Sequence, residues 1–293
     1  MIGQNYQNLS LASFRITNFG LNYWWHKMLP VIQTMALITL TSDWGKKDHY
    51  AGMVKGTILS KIPGAIIVDI AHDIPHYNLN SASFVLKNSF RAFPAGTIHI
   101  IDIVADATIE MPHVVVVYDG HYFIGTDNGI FSLIFDHEPE QIFEIDLIQD
   151  TDTFTFSARD IFIIVAQHIV EGKPLSEVGP VRKKLTTKIS LKPVTSATLI
   201  KGHVIFIDSY ENVFTNITRD IFFNVSQKRP FLITFGPSRY KVSKISQSYK
   251  DVAEGEIMAL FSSTSHLQIA VSMGNAAGLL GLKIDDSVRV EFA

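Results

Sequence analysis

Asp43 ends the apolar, β-branched run Leu37-Ile-Thr-Leu-Thr-Ser42, and Trp44, Gly45, Asp48 and Tyr50 follow before a helical pattern opens toward Gly56. In open α/β sheets ligands bind outside the carboxyl ends of strands, so Asp43 stands where a ligand-binding acid is expected. Its two oxygens match the spacing of a cis-diol, and a carboxylate there can accept hydrogen bonds from both hydroxyls of a ribose. The plainer alternative is that Asp43 or Asp48 caps the following helix.

Three further polar clusters fall at the ends of expected elements. Gly125-Thr-Asp127-Asn128-Gly129 lies between a strand and a short helix, where Asp-Asn-Gly supplies turn conformations and a helix cap. Thr153-Phe-Thr155-Phe156-Ser157-Ala-Arg159-Asp160 precedes a helix. Its hydroxyls and free backbone amides could hold a polar ligand or an anionic nucleophile, or Ser157 and Asp160 could form a capping box. Asp208-Ser-Tyr-Glu-Asn212-Val-Phe214 places an acid and an amide across a turn between strands, a place that favours Asp and Asn in any case.

These clusters need elements to hold them. From Leu37 to about Lys192 strands and helices alternate. Strands are expected at Ala65–Ile70, Thr97–Ile103, His113–Tyr118, His121–Gly125 and Gln141–Leu147, and helices at Asn80–Phe93 and Asp160–Glu171. The strands read as continuous apolar runs, which suggests a mainly parallel sheet covered on both faces. After Pro193 the helical period largely disappears. Ala197–Asp208, Asn212–Ile217, Phe231–Phe235, Tyr240–Ser243, Glu256–Phe261, Leu267–Val271 and Ser287–Phe292 read as short strands between turns, as in a small β-barrel or sandwich. The expected organisation is an α/β domain over residues 35–192 followed by an all-β domain over residues 193–293.

Residues 1–34 mix Asn, Gln, Ser and aromatics and offer no packed core. They read as a disordered extension or the product of an early start codon. Leu21–Leu40 is broken by His26, Lys27, Pro30 and Gln33, too polar for a spanning helix and unlike a signal peptide. A cytoplasmic protein with no membrane partner is expected. The chain has 293 residues, 47% of them hydrophobic, a net charge of −3 and no cysteine. That charge argues against a nucleic-acid partner, and the missing thiols exclude disulfides, thiolate zinc sites and cysteine nucleophiles. Its eleven histidines are scattered with no His-Glu-x-x-His spacing, so no metal site is expected.

In order and spacing the clusters resemble the S-adenosyl-L-methionine (SAM) hydroxide adenosyltransferases and their fluorinating and chlorinating relatives. The resemblance runs from about Met35 to Ala293. It includes Thr-Ser-Asp43-Trp-Gly with Asp48-x-Tyr50-x-Gly52-x-x-Lys-Gly56, Val68-Asp69-Ile-x-His72-x-Ile-Pro75, and Phe93-Pro-x-Gly96-Thr-Ile-His99. It continues through Asp127-Asn128-Gly129, Thr155-Phe-x-x-Arg159-Asp160, Pro174-Leu-Ser-Glu-Val-Gly179, Asp208…Asn212-Val-x-Thr-Asn-Ile217 and Leu267-x-Ile-Ala-Val-x-Met273-Gly274-Asn-Ala-Ala277.

The resemblance implies displacement at the ribose C5′ of SAM with methionine leaving, and no metal or cofactor. Water or hydroxide attacks in the hydrolases and halide in the halogenases. By position, Asp43 and Tyr50 would hold the ribose, Asp208 the methionine ammonium and Ser263 its carboxylate. Asn212, Phe214 and Tyr249 would face the adenosine, and Asp48, Phe156 and Met273 would complete the SAM site. Family members assemble as trimers with SAM between one subunit's N-terminal domain and its neighbour's C-terminal domain, so a homotrimer is expected, with adenosine and L-methionine as products.

The chain departs from the hydrolases where water is held. Their Asp-Pro-Gly-Val-Gly loop, following Arg and Thr-Phe-His-Gly-Arg-Asp motif place an Asp, an Arg and a His on the water. Here those positions fall on Val104, about Met111 and Ser157. Thr155, Ser157 and Asp106 are the candidate catalytic groups, with Asp102 a second candidate carboxylate and His113 or His121 a displaced imidazole. The expected reaction is SAM hydrolysis to adenosine and methionine. The alternative is a catalytically weak or inactive SAM- or adenosine-binding protein, with halogenation a distant third.

Overall fold

The computed structural model describes residues 35–147, 155–237 and 239–293. The expectation for residues 1–34, and the start of the Thr153 cluster, lie outside the described residues. Residues Ala36–Ala293 form one compact unit. It carries two sheets.

The first sheet is built from β1 (Leu37–Ser42), β2 (Ile66–Ala71), β3 (Ile98–Asp102), β4 (His113–Tyr118), β5 (His121–Thr126) and β6 (Gln141–Glu144). Its spatial order is β2-β1-β3-β5-β4-β6. The β1–β2, β1–β3 and β3–β5 ladders are parallel, and only β4 runs against its neighbours. Both faces are buried, which is why the strands read as unbroken apolar runs. Along β4, Val115 enters one apolar cluster while Val114 and Val116 enter the other. Helix α1 (Tyr50–Lys61) buries Val54 and Ile58 on the first face beside Phe162 and Ala166. Helix α2 (Leu79–Lys87) buries Leu79, Ala82 and Leu86 on the second beside Phe90, Phe123 and Phe131. The short helix α3 (Ile130–Ile134) follows β5. The expected helix over Asp160–Glu171 begins with a wide turn at Ala158–Phe162 before α4 (Ile163–Val170) continues.

The second sheet contains β7 (Val194–Thr195), β8 (Leu199–Ile207), β9 (Val213–Thr218), β10 (Phe231–Phe235), β11 (Tyr240–Val242), β12 (Ile245–Ser246), β13 (Ile257–Phe261), β14 (His266–Val271) and β15 (Ser287–Phe292). Its order is β11-β10-β15-β8-β9-β14-β13-β12, with β7 on β8. Among the described residues every pairing is antiparallel except β12–β13. The end strand β11 returns against β13, so the sheet curls nearly into a barrel. Strict alternation fills its interior: Val288, Val290 and Phe292 point in, while Ser287, Arg289 and Glu291 stay exposed.

Two helices interrupt a region that the sequence pattern gives wholly to strands. Helix α5 (Arg219–Ser226) starts at Thr218, whose hydroxyl accepts from the Ile221 amide at 3.4 Å, and it buries Phe222 in the barrel. Helix α6 (Ala276–Leu280) starts at Asn275, whose carbonyl accepts from the Gly278 amide at 2.6 Å. Phe84 of α2 joins the sheets. Its ring stacks on Phe206 at 4.5 Å and meets Phe214 at 5.6 Å and His266 at 5.4 Å. No helix among the described residues is long and apolar enough to cross a membrane.

Candidate functional site

The C-terminal ends of β1, β2 and β3 gather most of the polar groups singled out in the N-terminal half. Asp43 follows β1 directly, and its Oδ2 accepts from the Tyr77 amide at 2.8 Å. It caps no helix: the residue before α1 is His49, which makes no side-chain cap. Trp44 packs edge-on to Phe156 at 5.4 Å, and Phe156 packs edge-on to Tyr50 at 5.3 Å. The Arg159 guanidinium lies 5.7 Å from the centre of the Phe156 ring and pairs with Asp160 through two nitrogens, at 2.5 and 2.7 Å. Trp44, Phe156 and Tyr50 therefore form one aromatic corner, with Asp43 adjoining it in sequence. Asp48 and Thr155 lie exposed at its rim.

Asp102 is the last residue of β3, directly across the ladder from Ser42 of β1. It is 8% exposed, and its Oδ2 is enclosed with no hydrogen-bond partner. Burial pushes its carboxyl up to about 7; the charges of Asp43 and Asp106 add to the rise, and the Trp44 indole and Ala158 amide hold it down. Asp106 itself is exposed, four residues further along the loop.

The loop after Asp102 is pinned by its neighbours. The Ala105 carbonyl accepts from Thr126 Oγ1 at 2.9 Å, from Ser157 Oγ at 3.4 Å and from His113 Nε2 at 2.8 Å. Asn128 Nδ2 donates to the Ile103 and Val104 carbonyls at 2.8 and 3.1 Å, while Asn128 Oδ1 accepts from the Ile130 amide. The Asp-Asn-Gly cluster is thus a turn, with Gly129 at φ 96°, and also a brace for this loop. Asp127, fully buried, accepts from the Thr186 amide and hydroxyl and pairs with Arg182 at 3.1 Å, tying down the segment that leads to the barrel. Within the loop Val104 holds φ 51°, a conformation that a β-branched residue adopts only under constraint. The Ser157 hydroxyl makes no cap; it is spent on the loop.

Neither displaced imidazole is placed as a base at this corner. His113 has its Nε2 committed to Ala105, and burial lowers its pKa. His121 begins β5, at the opposite end of the sheet from Asp102, where its Nδ1 lies 3.2 Å from His99 Nε2.

In the barrel, Asp208 and Asn212 close the β8–β9 turn on each other. Asp208 Oδ1 accepts from the Tyr210 and Asn212 amides at 3.0 and 2.8 Å, and Oδ2 accepts from Asn212 Nδ2 at 3.1 Å. The same end of the barrel carries Tyr249, whose hydroxyl donates to Gln268 Oε1 at 3.1 Å, and Met273, 88% exposed. Phe214 lies outside the barrel core, buried against Phe84 of α2 and Phe206. Ser263 sits elsewhere, in the β13–β14 turn. The β9–β14 register pairs Ile269 with Val213 and His266 with Thr218, so Asp208 and Ser263 lie at opposite ends of that ladder. Five residues of strand separate those ends by roughly 17 Å, and a ligand touching both must extend along the sheet. Among the described residues no hydrogen bond, ion pair or ring contact joins the corner around Asp43 to the turn around Asp208.

Sequence reasoning from the loop pattern favoured the exposed Asp106 and passed over the placement of Asp102. No run end marks it as one marks Asp43, because Ile103 and Val104 continue the apolar run beyond it. Trp44 and Asn128 were noted as motif members without a role.

Comparison with known proteins agrees with this architecture. The model of the SAM hydroxide adenosyltransferase N-terminal domain matches residues 38–179, and that of the C-terminal domain matches residues 202–289. An (R)-S-adenosyl-L-methionine hydrolase of Methanocaldococcus jannaschii is 26% identical, covering 87% of this chain and 95% of its own length. One from Thermus thermophilus is 27% identical over 87% of this chain and 100% of its own. A fluorinase of Actinopolyspora mzabensis is 23% identical over 87% of this chain. The crystal structure of an uncharacterized conserved protein from Thermotoga maritima superposes with a TM-score of 0.79 at 30% identity, covering 87% of this chain and 99% of that one. The chain belongs to the SAM hydroxide adenosyltransferase family.

Proposed function

We propose that this protein hydrolyses SAM at the ribose C5′ to adenosine and L-methionine, with Asp102 as the group that takes the water's proton. A water oxygen attacks C5′ in line with the C5′–S bond. The bonding pair leaves with sulfur as the neutral thioether of methionine, and the proton passes to Asp102 and then to solvent. The sulfonium is already a good leaving group, so the protein's task is to strip, orient and deprotonate the nucleophile. The observation that carries the reading is Asp102 itself: a carboxyl buried at a strand end, one oxygen without a partner, poised near neutral pH.

The backbone of the next residues supports placing this acid in the family's water-binding position. In an Asp-Pro-Gly-Val-Gly loop glycine stands two residues after the aspartate, and glycine is the residue that readily takes a left-handed backbone. Val104 holds that conformation here, two residues after Asp102. We therefore read the loop two residues out of the sequence register, with Asp102 rather than Val104 in the aspartate's role and the polar groups of Thr155 and Ser157 as secondary contacts. Asp43 would take the ribose hydroxyls through Oδ1, since Oδ2 already serves Tyr77.

A homotrimer with SAM between subunits is part of the same proposal. Among the described residues no hydrogen bond, ion pair or ring contact joins the two half-sites, and Tyr210 and Met273 stand 79% and 88% exposed beside the Asp208 turn. Large apolar side chains left uncovered beside a polar turn favour burial by a partner. The test is to incubate purified protein with SAM, with and without halide, and to separate adenosine, methionine and 5′-halo-adenosine by chromatography. Adenosine and methionine in equal amounts, unaffected by halide, is the expected result. Turnover no faster than the uncatalysed reaction would leave a binding protein only.

A further inference from the structure

The outer surface of the barrel holds a buried amide with only one of its two ends met. On β14, Leu267, Ile269 and Val271 enter the barrel core, so Gln268 and Ala270 face outward. Gln268 is nevertheless 1% exposed. The ladders place it opposite Phe214 of β9 on one side and Leu260 of β13 on the other. Leu260 forms a small apolar cluster with Met258, Ala270 and Val252, and Phe214 packs against Phe206 and against Phe84 of α2. The amide is thus set in an apolar bed where the barrel meets the α/β half. Its Oε1 accepts from the Tyr249 hydroxyl at 3.1 Å, but Nε2 is enclosed with no hydrogen-bond partner among the described residues. A single hydroxyl serves one end of an amide, so whichever way the amide is turned the other end stays unmet. A leucine or methionine would fill the same volume without that cost.

We propose that Gln268 is a substrate-recognition residue that reads the adenine of SAM through its exocyclic amine and the ring nitrogen beside it. An amide offers an acceptor and a donor side by side. The adenine edge presents the complementary donor and acceptor, the pairing by which Gln reads adenine in duplex DNA. In the structure the Tyr249 hydroxyl stands in for the amine alone. Tyr249 is also the part free to move. Its ring side is open, the residue being 46% exposed, while its backbone is tied through Ser272 Oγ, which donates to the Tyr249 carbonyl at 3.3 Å. Asp251 holds the same turn by accepting from the Gln247 and Ser248 amides at 2.7 and 3.3 Å. Turning one side chain uncovers the amide and leaves the turn in place. The amine then replaces the hydroxyl at Oε1, and the ring nitrogen supplies the acceptor that Nε2 lacks. The neighbours suit a flat base, with Tyr249 offering a face to stack on and Phe214 and Leu260 flanking the amide.

The inference rests on the hydrolase reading for the identity of the ligand, and its test needs no turnover. Calorimetry compares adenosine with 1-deazaadenosine and 7-deazaadenosine, which keep the amine and lose one flanking ring nitrogen each. The analogue lacking the nitrogen that faces Nε2 should bind the wild type about tenfold more weakly than adenosine. In Gln268→Leu adenosine itself should weaken by at least about that factor, and the penalty for that analogue should vanish because its partner is gone. The urea midpoint of the same variant, measured without ligand, should rise, since an unmet buried donor has been removed. A merely structural glutamine predicts the reverse: a lower midpoint and an unchanged ratio among the three ligands. Gln268→Met, which matches the side chain in length, carries the same test should Gln268→Leu fail to fold. Undiminished adenosine binding in the folded variants, or a wild type that binds all three ligands alike, would overturn the inference and leave the hydrolase reading intact. A wild type that binds neither adenosine nor SAM and turns over no SAM would overturn the hydrolase reading, and this inference with it.

Discussion

Replacing Asp102 by Asn separates a catalytic from a structural carboxyl, because the two roles move stability and rate in opposite directions. Unfolded, an aspartate titrates near 3.9; folded, Asp102 titrates at about 7. A carboxyl whose folded pKa is raised binds more protons in the native state between those values. Its share of stability is complete below the unfolded value and is lost as pH rises through 7. At about 1.36 kcal/mol per unit, the full penalty above pH 8 is on the order of 4 kcal/mol. Asn cannot ionise, so Asp102→Asn should be more stable than wild type at pH 8 and show little difference near pH 4, in urea melts run at both values. The rate should do the reverse. Loss of general-base assistance typically costs about 10²–10⁴-fold, and the wild-type kcat/KM should rise with pH through an apparent pKa near 7 and then level off, a limb the variant lacks. A variant that loses stability at pH 8, or that hydrolyses SAM at the wild-type rate, would refute the assignment.

Asp43→Ala should weaken SAM or adenosine binding by about 2–4 kcal/mol, since buried hydroxyls lose a charge-assisted acceptor; isothermal calorimetry reads this, and unchanged affinity would remove Asp43 from the site. His99 is buried against Phe123 and bonded to Thr39, and burial, then His121, lowers its pKa to about 3. The unfolded chain therefore takes up a proton that the folded one refuses. Stability should fall as pH drops below about 6.5 by up to roughly 1.4 kcal/mol per unit, and His99→Gln should flatten that slope in denaturant titrations. Val104→Gly should raise Tm, because a left-handed β-branched residue costs about 1–2 kcal/mol against ~0.5–1 for glycine's added chain entropy. Sedimentation should show a trimer whose Tm rises with SAM by mass action; a monomer that binds SAM tightly would end the shared-site picture.

Strand signals were legible where the residues are apolar nearly throughout or alternate strictly with polar ones. His113–Tyr118, Phe231–Phe235 and Ser287–Phe292 are strands over those same residues. Helix α5 was missed although Thr218 is a good cap and Ile221, Phe222 and Val225 share a face, because eight residues of mixed Phe and Ile between strands carry either period. Patterning also carries the mainly parallel first sheet and the all-β character of the second, which was read as a small barrel or sandwich. Asp43 was readable because its apolar run stops at the carboxylate. Asp102 was not, since Ile103 prolongs the apolar run past it and conceals the strand end. Side-chain commitments lay beyond patterning altogether: nothing in the order of residues tells that Ser157 would spend its hydroxyl on Ala105, or that Ser263 and Asp208 would end at opposite ends of one ladder.

The strain in the α/β half is not spread evenly, and its location argues for function. Among the described residues the buried polar atoms there without a good hydrogen bond are Thr41 Oγ1, His72 Nε2 and Asp102 Oδ2, all at the C-terminal ends of three adjacent strands. Val104, left-handed and β-branched, follows two residues later. Elsewhere in that half the accounts close. Asp127 is fully satisfied by Thr186 and Arg182, and the sheet's apolar faces are packed on both sides. Unpartnered polar atoms gathered at one edge beside a left-handed valine mark that edge as held in a conformation it would not otherwise keep. The brace from Asn128 and the bonds converging on Ala105 are what make such a loop persist. Unpartnered oxygens at the mouth of a sheet can be completed by a polar ligand or its nucleophile.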